Sequence, residues 1–338
     1  MSTLRVVQFT DPLEFVASTI QYDDYNMNFV LGTLLDFKNE ARVDSQNVPM
    51  LTLLAVYRKE ELLLSLMKHA KDFSWMMAMP SHVDPQYDSD ASDIALGAQL
   101  LAELLSTIIQ PSLVDKVLGP ATAVNAFVDA WVNRMETQGI RLKKPDPYFL
   151  SRACYATRST LPPPSAAFAD HQVSLASGPE TIESLVPLFV EFMRLGPHPV
   201  TPEIGHTIMR EAVEAQRIWF CRFQGVVAGY ILLGRITPRT IAIRNVFTLP
   251  DHRRKGIAEA LVRGVTRYYL GAQPLGFEGP PTAISDKETK KEVCLNVSDP
   301  TVMKIYSRCG FMLGEDERDP DNGQRGWFPT VWRGVEPL

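Results

Sequence analysis

Two periods of hydrophobic residues alternate along this chain, and they run twice in nearly the same order. In the first half, Leu4–Gln8 reads as a strand, and apolar positions from Leu13 to Lys38 recur at helical spacing. Leu51–Tyr57 and Leu62–Lys68 form the arms of a hairpin around Arg58-Lys59-Glu60-Glu61. A strand at Trp75–Met79 and a strongly apolar helix at Asp93–Ile109 follow. A short strand at Lys116–Leu118 then leads into a helix from Thr122 to Thr137, closed by Gln138-Gly139-Ile140.

The second half opens with a strand at Val173–Leu175 and an amphipathic helix at Thr181–Arg194, with Ile182, Leu185, Leu188, Phe189 and Phe192 on one face. A second helix spans Pro202–Ala215. The strands Ile218–Phe223 and Val226–Leu233 turn at Gln224-Gly225, and Thr240–Phe247 is a further strand rich in β-branched residues. A helix at Gly256–Tyr269, a strand at Val293–Val297 and a helix at Pro300–Arg308 come next, and the tail ends in a strand at Trp327–Trp332. The shared order points to one plan used twice. The run Ser159–Gln172 carries three consecutive prolines and reads as an extended connector. The expected organisation is therefore a domain at 1–160, a linker at 161–172 and a second domain at 173–338, in the α/β (α+β) class.

Composition narrows the function. Of 338 residues, 45% are hydrophobic and 22% charged, enough apolar side chains for two real cores. A net charge of −5 argues against a nucleic-acid partner, because neutralising phosphates along a strand needs a basic face. The first residues show no secretory leader, and no run of about twenty apolar residues stands out, so the reading is a cytoplasmic chain with no membrane partner. Cys154, Cys221, Cys294 and Cys309 lack metal-ligand spacing, and no metal is expected.

The most informative segment is Asn245-Val-Phe-Thr-Leu-Pro-Asp-His-Arg-Arg-Lys-Gly-Ile-Ala258. A strand ends near Phe247 and a helix begins near Gly256, so unpaired N–H groups at the helix start face the loop. Those donors and the helix dipole favour an anion there. Arg253, Arg254 and Lys255 add positive charge where two phosphates would lie. Gly256 and Ala258, flanking Ile257, keep the backbone approachable.

Arg253-Arg-Lys-Gly256-Ile-Ala258 resembles the Arg/Gln-x-x-Gly-x-Gly/Ala signature of the GNAT superfamily, the acyl-CoA-dependent N-acyltransferases. Leu295-Asn-Val-Ser-Asp299-Pro-Thr-Val302-Met-Lys-Ile305-Tyr306-Ser-Arg-Cys-Gly310-Phe311 is similar to the family's later motif, with Asp299 where Asn is usual. The resemblance covers residues 173–338. It implies a tandem GNAT-like fold, each lobe a mixed, mostly antiparallel sheet flanked by helices, with the cofactor site in the second lobe. It further implies that the pantetheine of acetyl-CoA pairs with Val246, Phe247 and Thr248, that a backbone N–H near Phe247 holds the oxyanion, and that Asp299 meets the cofactor. Tyr306 matches the tyrosine that protonates the departing thiolate. The acceptor would be a primary amine of a small molecule, attacked directly.

The strand leading into the cradle, Ile241-Ala-Ile-Arg-Asn-Val246, lacks the carboxylate that many relatives use as a base. Either water relays the proton or a base comes from elsewhere; Glu191, His198 and Glu203 are the nearby candidates, and Arg244 and Asn245 are candidates to orient an acceptor. Lys287, Lys290 and Lys291 are placed to meet the 3′-phosphate or to form a solvated loop. The missing base keeps open a catalytically silent acyl-CoA-binding protein, and an acceptor on a protein or peptide also stays open. In the first half, Asp84, Asp88 and Asp90 stand where a cradle should be basic, with no Lys or Arg to answer them, so that lobe reads as degenerate and without cofactor.

Overall fold

In the computed structural model, residues 3–40, 51–71, 73–196, 199–274 and 289–338 are described. The chain forms two compact units. Unit 1 holds Met1–Ala153, Arg235–Thr240 and Trp327–Leu338; unit 2 holds Cys154–Gly234 and Ile241–Gly326.

Unit 1 contains β1 (Leu4–Phe9), α1 (Pro12–Thr19), α2 (Asn28–Glu40), β2 (Thr52–Arg58), β3 (Glu61–Lys68), β4 (Trp75–Ala78), α3 (Asp88–Ile108), β5 (Lys116–Pro120), α4 (Ala121–Thr137) and the short β6 (Leu142–Lys143). After β7 (Phe149–Ala156) the chain builds unit 2: β8 (Gln172–Leu175), α5 (Pro179–Arg194), α6 (Pro202–Glu214), β9 (Ile218–Phe223), β10 (Val226–Gly234), β11 (Thr240–Thr248), α7 (Ile257–Tyr269), β12 (Glu292–Val297) and α8 (Pro300–Arg308). β13 (Trp327–Gly334) and β14 (Glu336–Pro337) then return to unit 1. Both units repeat strand, two helices, three strands, helix, strand, helix, the doubled order that the hydrophobic pattern pointed to.

The strands of unit 1 lie in the order β1-β2-β3-β4-β5-β13. β4 and β5 run parallel and the other neighbours antiparallel, so the sheet is mixed and mostly antiparallel. β2 and β3 are apolar on both faces because helices cover both. Leu54, Val56 and Leu64 pack with Ile94, Leu101, Phe127 and Trp131 of α3 and α4. Leu53, Ala55 and Met67 pack with Phe15, Val30 and Leu34 of α1 and α2. In unit 2, β8, β9, β10 and β11 pair antiparallel in sequence order. Leu185, Phe189, Met209 and Val213 of α5 and α6 cover one face over Ile218, Tyr230 and Phe247.

Several elements differ from the sequence reading, each for a local reason. The single helix expected over Leu13–Lys38 is two, because Asp24 Oδ1 accepts from Met27 N at 2.9 Å and starts a new turn there. α3 begins at Asp88 rather than Asp93, since acidic residues suit the first turn of a helix. That helix is long and apolar enough to cross a membrane by length and composition, but Ile94, Ala98, Leu101, Ala102 and Leu105 are buried in the core of unit 1. β7 has no counterpart among the expected elements. The units divide at Ala153/Cys154, ahead of the proline run, which is docked rather than free: Pro162 O accepts from Arg267 at 2.8 Å and Pro163 O from Arg263 at 3.4 Å.

The turn between β10 and β11 belongs to unit 1. Asp36 accepts from the N–H groups of Arg235 (2.5 Å) and Ile236 (3.3 Å). Asn28 donates to Arg235 O at 2.7 Å, and Asp23 accepts from Thr237 Oγ1 at 2.8 Å and Arg239 N at 2.9 Å. Burial raises the pKa values of both Asp23 and Asp24.

Candidate functional site

β11 carries one extra residue. Leu232 faces Asn245, but Leu233 faces Ile243, so Arg244 bulges out of the ladder. Beyond the bulge the register is regular, and Leu249 N donates to Ala228 O at 2.9 Å. Antiparallel pairs alternate, so Phe247 also bonds to β10, while the N–H groups of Val246 and Thr248 point away from it. The N–H groups of Val246 and Thr248 lie on the side of β11 that neighbours β12. Gly229 makes the junction possible: a Cβ there would lie 2.5 Å from Phe247 O and 2.9 Å from Ile257 Cγ2, blocking the close approach of α7.

After β11 the chain makes a single turn at Pro250–His252 and enters the cradle. Arg254 sits at φ 62° and Gly256 at φ 82°, both left-handed. For the arginine this conformation costs on the order of 1 kcal/mol, the kind of strain that gathers at working sites. Gly256 caps α7 without a side-chain hydrogen bond. Among the described residues, no acceptor meets the N–H groups of Arg254, Lys255, Gly256, Ile257 or Ala258. Arg253, Arg254 and Lys255 are exposed, and none has an ion pair among the described residues. By contrast, Arg308 and Arg263 are held by Glu259 at 2.6 and 3.1 Å, which ties α7 to α8. The cations of the cradle are therefore available to an anion.

Two residues missed by the sequence reading shape this turn from within. A Cβ on Gly256 would meet Phe168 Cε1 at 3.2 Å and His171 Nε2 at 3.4 Å, so a side chain would press into the protein rather than into the phosphate space. His171 is buried and its Nε2 lies 2.8 Å from Lys255 O.

Asp299 is the N-cap of α8 and accepts from Thr301 N at 2.7 Å, so one carboxylate oxygen serves the helix. Tyr306 is buried on α8 at 5.9 Å from the Phe311 ring, and burial, with the thiols of Cys154 and Cys309 nearby, pushes its phenol upward. The candidate bases fare less well. Glu191 is bonded to Arg194 at 2.7 Å, and Glu203 is exposed, its pKa lowered by Thr201. His198 and Lys287 lie outside the described residues. Asn245 reaches toward the buried Tyr230 phenol, whose pKa burial raises. All four cysteines are buried and none is in a disulfide, and no group of described His, Cys, Asp or Glu residues is arranged to hold a metal.

The corresponding place in unit 1 is filled by the chain itself. Asp90 accepts from Asp84 N at 3.0 Å and from Arg58 Nη1 at 2.5 Å, and Arg58 also reaches Asp93 at 3.3 Å. Arg58 thus answers Asp90, one of the three acids that had looked unanswered. The first turn of α3 thus carries the carboxylates of Asp88 and Asp90, where the turn before α7 carries Arg253, Arg254 and Lys255.

Residues 183–275 match the acetyltransferase (GNAT) family, a span that includes the bulge and the cradle and stops before Tyr306. No curated protein matches the chain. Among solved structures, a GCN5-related N-acetyltransferase from Sphaerobacter thermophilus is 13% identical over 98% of this chain and 95% of its own, with a TM-score of 0.48. A tandem GNAT protein from the clavulanic acid biosynthesis pathway is 11% identical over 98% of each chain, with a TM-score of 0.46. These likenesses are distant and carry no functional weight. The cradle and the bulged strand thus fall on the same residues as the family match, and this part of the chain carries an acetyltransferase (GNAT) family domain.

Proposed function

We propose that unit 2 transfers an acetyl group from acetyl-CoA to the primary amine of a small molecule by direct attack, without an acyl-enzyme. The cradle carries this reading: among the described residues, three exposed cations without ion pairs stand beside backbone donors without acceptors, at the end of a bulged strand. The pyrophosphate of CoA lies against Arg253, Arg254, Lys255 and the N–H groups that follow them. The pantetheine runs along Val246–Thr248, and an outward N–H of Val246 or Thr248 stabilises the oxyanion.

The amine nitrogen bonds to the thioester carbon, the C–S bond breaks, and its electron pair leaves on sulfur. Tyr306 keeps its proton at neutral pH because burial raises its pKa. A phenol is already a weaker acid than a thiol, about 10 against about 8.5 for the free side chains. Tyr306 therefore acts as a hydrogen-bond donor to the departing sulfur, and solvent completes the protonation. The surplus proton on nitrogen leaves to water, since β11 carries no carboxylate and Glu191 is engaged by Arg194.

Release of CoA from acetyl-CoA, measured across panels of small amines and of peptides, tests the reading. Turnover is expected with a small amine, and Tyr306→Phe is expected to lower kcat by on the order of 10²-fold with unchanged CoA affinity. Tight CoA binding with no turnover on any acceptor would refute transfer. Turnover on peptides alone would refute the acceptor class, and an unaltered rate in Tyr306→Phe would remove its role.

A further inference from the structure

The peptide unit at the centre of the cradle is held by a side chain 84 residues earlier in the chain. His171 Nε2 lies 2.8 Å from Lys255 O. A carbonyl only accepts, so Nε2 carries the proton and donates. Nδ1 is buried and has no hydrogen-bond partner among the described residues. The ring itself is fixed on two sides. Phe168 stands edge-on at 5.5 Å and Phe223 lies at 4.8 Å, while His171 N donates to Phe168 O at 3.0 Å. Phe168 is covered in turn by the Arg263 guanidinium, 5.5 Å from its ring.

In a trans peptide the carbonyl of one residue and the N–H of the next point in opposite directions. Holding Lys255 C=O inward against His171 therefore directs Gly256 N–H outward. That N–H has no acceptor among the described residues, and it sits between Lys255 and the first turn of α7. Without the imidazole, the Lys255–Gly256 peptide loses its anchor, and a glycine at φ 82° has few steric limits to stop it rotating.

We propose that His171 is a positioning residue for the cradle, orienting the Gly256 N–H toward the pyrophosphate of CoA through the Lys255 carbonyl. The inference rests on the reading of unit 2 as a CoA site. It differs from the family signature in naming a residue that touches neither substrate nor the reacting atoms.

The test is a calorimetric titration of CoA into the full-length wild-type protein, His171→Leu and His171→Gln, with pantetheine binding followed by ligand-observed NMR. His171→Leu is expected to weaken CoA by roughly tenfold, the effect of losing one buried hydrogen bond. His171→Gln, whose amide N–H reaches as far as Nε2, should recover most of that loss. Pantetheine, which lacks the pyrophosphate, should bind all three proteins alike, and KM for acetyl-CoA should rise in the Leu variant while kcat holds. Unaltered CoA affinity in His171→Leu overturns the proposal, as does an equal loss of CoA and pantetheine or a Gln variant no better than Leu. A wild-type protein that does not bind CoA would overturn the site itself, a result distinct from wild-type binding with an indifferent Leu variant.

Discussion

Replacing Gly256 by alanine should destabilise unit 2 through two separate effects. At φ 82° an L-residue is in the left-handed region, at a cost of about 1–2 kcal/mol. The added methyl would also stand 3.2 Å from Phe168 Cε1 and 3.4 Å from His171 Nε2, tighter than ordinary contact, so Phe168 must give by a few tenths of an ångström. The ring can yield, which keeps the second contribution small. The total is about 1–2 kcal/mol, or roughly 3–6 °C in melting temperature for a domain of this size. Circular dichroism melts of the apo protein measure this directly, and repeats at saturating CoA report the site. Because the methyl faces Phe168 and His171, the shift induced by CoA should shrink in Gly256→Ala without disappearing. Gly256→Glu brings bulk and a negative charge to the same turn and should abolish that shift. An alanine variant melting within about a degree of wild type would show that neither the left-handed turn nor the packing beneath it is as described.

Two further perturbations address the rest of the molecule. Asp36→Ala removes the acceptor for the Arg235 and Ile236 N–H groups, and two poorly solvated donors left unbonded should cost about 2–4 kcal/mol in urea unfolding; a loss below 0.5 kcal/mol, roughly the level of a surface substitution, would refute the clamp. Burial raises the thiols of Cys221 and Cys309 from 9.0 to about 12. A raised pKa stabilises the fold below the unfolded value and loses that contribution as pH climbs from 9 toward 12. Stability should therefore fall over that window, and Cys221→Ala should flatten the fall; a pH-independent unfolding midpoint from 9 to 12 would contradict it.

Local signals carried much of the fold. α8 was legible to the residue because Asp299 caps it, Pro300 opens it and Gly310, at φ 97°, closes it. The β9–β10 hairpin was legible because Gln224 and Gly225 supply two consecutive left-handed residues, as a two-residue turn requires. The basic cradle was legible because charge and glycine spacing are properties of residue type. What stayed hidden depends on partners distant in sequence. β7, Phe-Leu-Ser-Arg-Ala-Cys-Tyr-Ala, has no clean alternation, and its strand character comes from its neighbours in the sheet. His171 acts on a backbone carbonyl, and any residue at position 255 would present the same atom. Nothing in Pro162-Pro163-Pro164 announces that Arg263 and Arg267 will bind its carbonyls. Asp90 looked repulsive because Arg58, its partner, lies 32 residues earlier, at the end of β2.

The return of β13 to unit 1 bears on how the molecule is made. β13 pairs antiparallel with β5 from Thr330–Pro120 to Gly334–Lys116, and Val331 and Val335 complete the core beside α3 and α4. During synthesis β5 leaves the ribosome early, yet its second partner is translated some two hundred residues later. Until then unit 1 has an unsatisfied strand edge and an unfilled patch of core, the combination that invites pairing with a foreign strand. A chain truncated before Trp327 would keep the whole cradle and Tyr306 and still fail as a protein, through a defect in the core of unit 1.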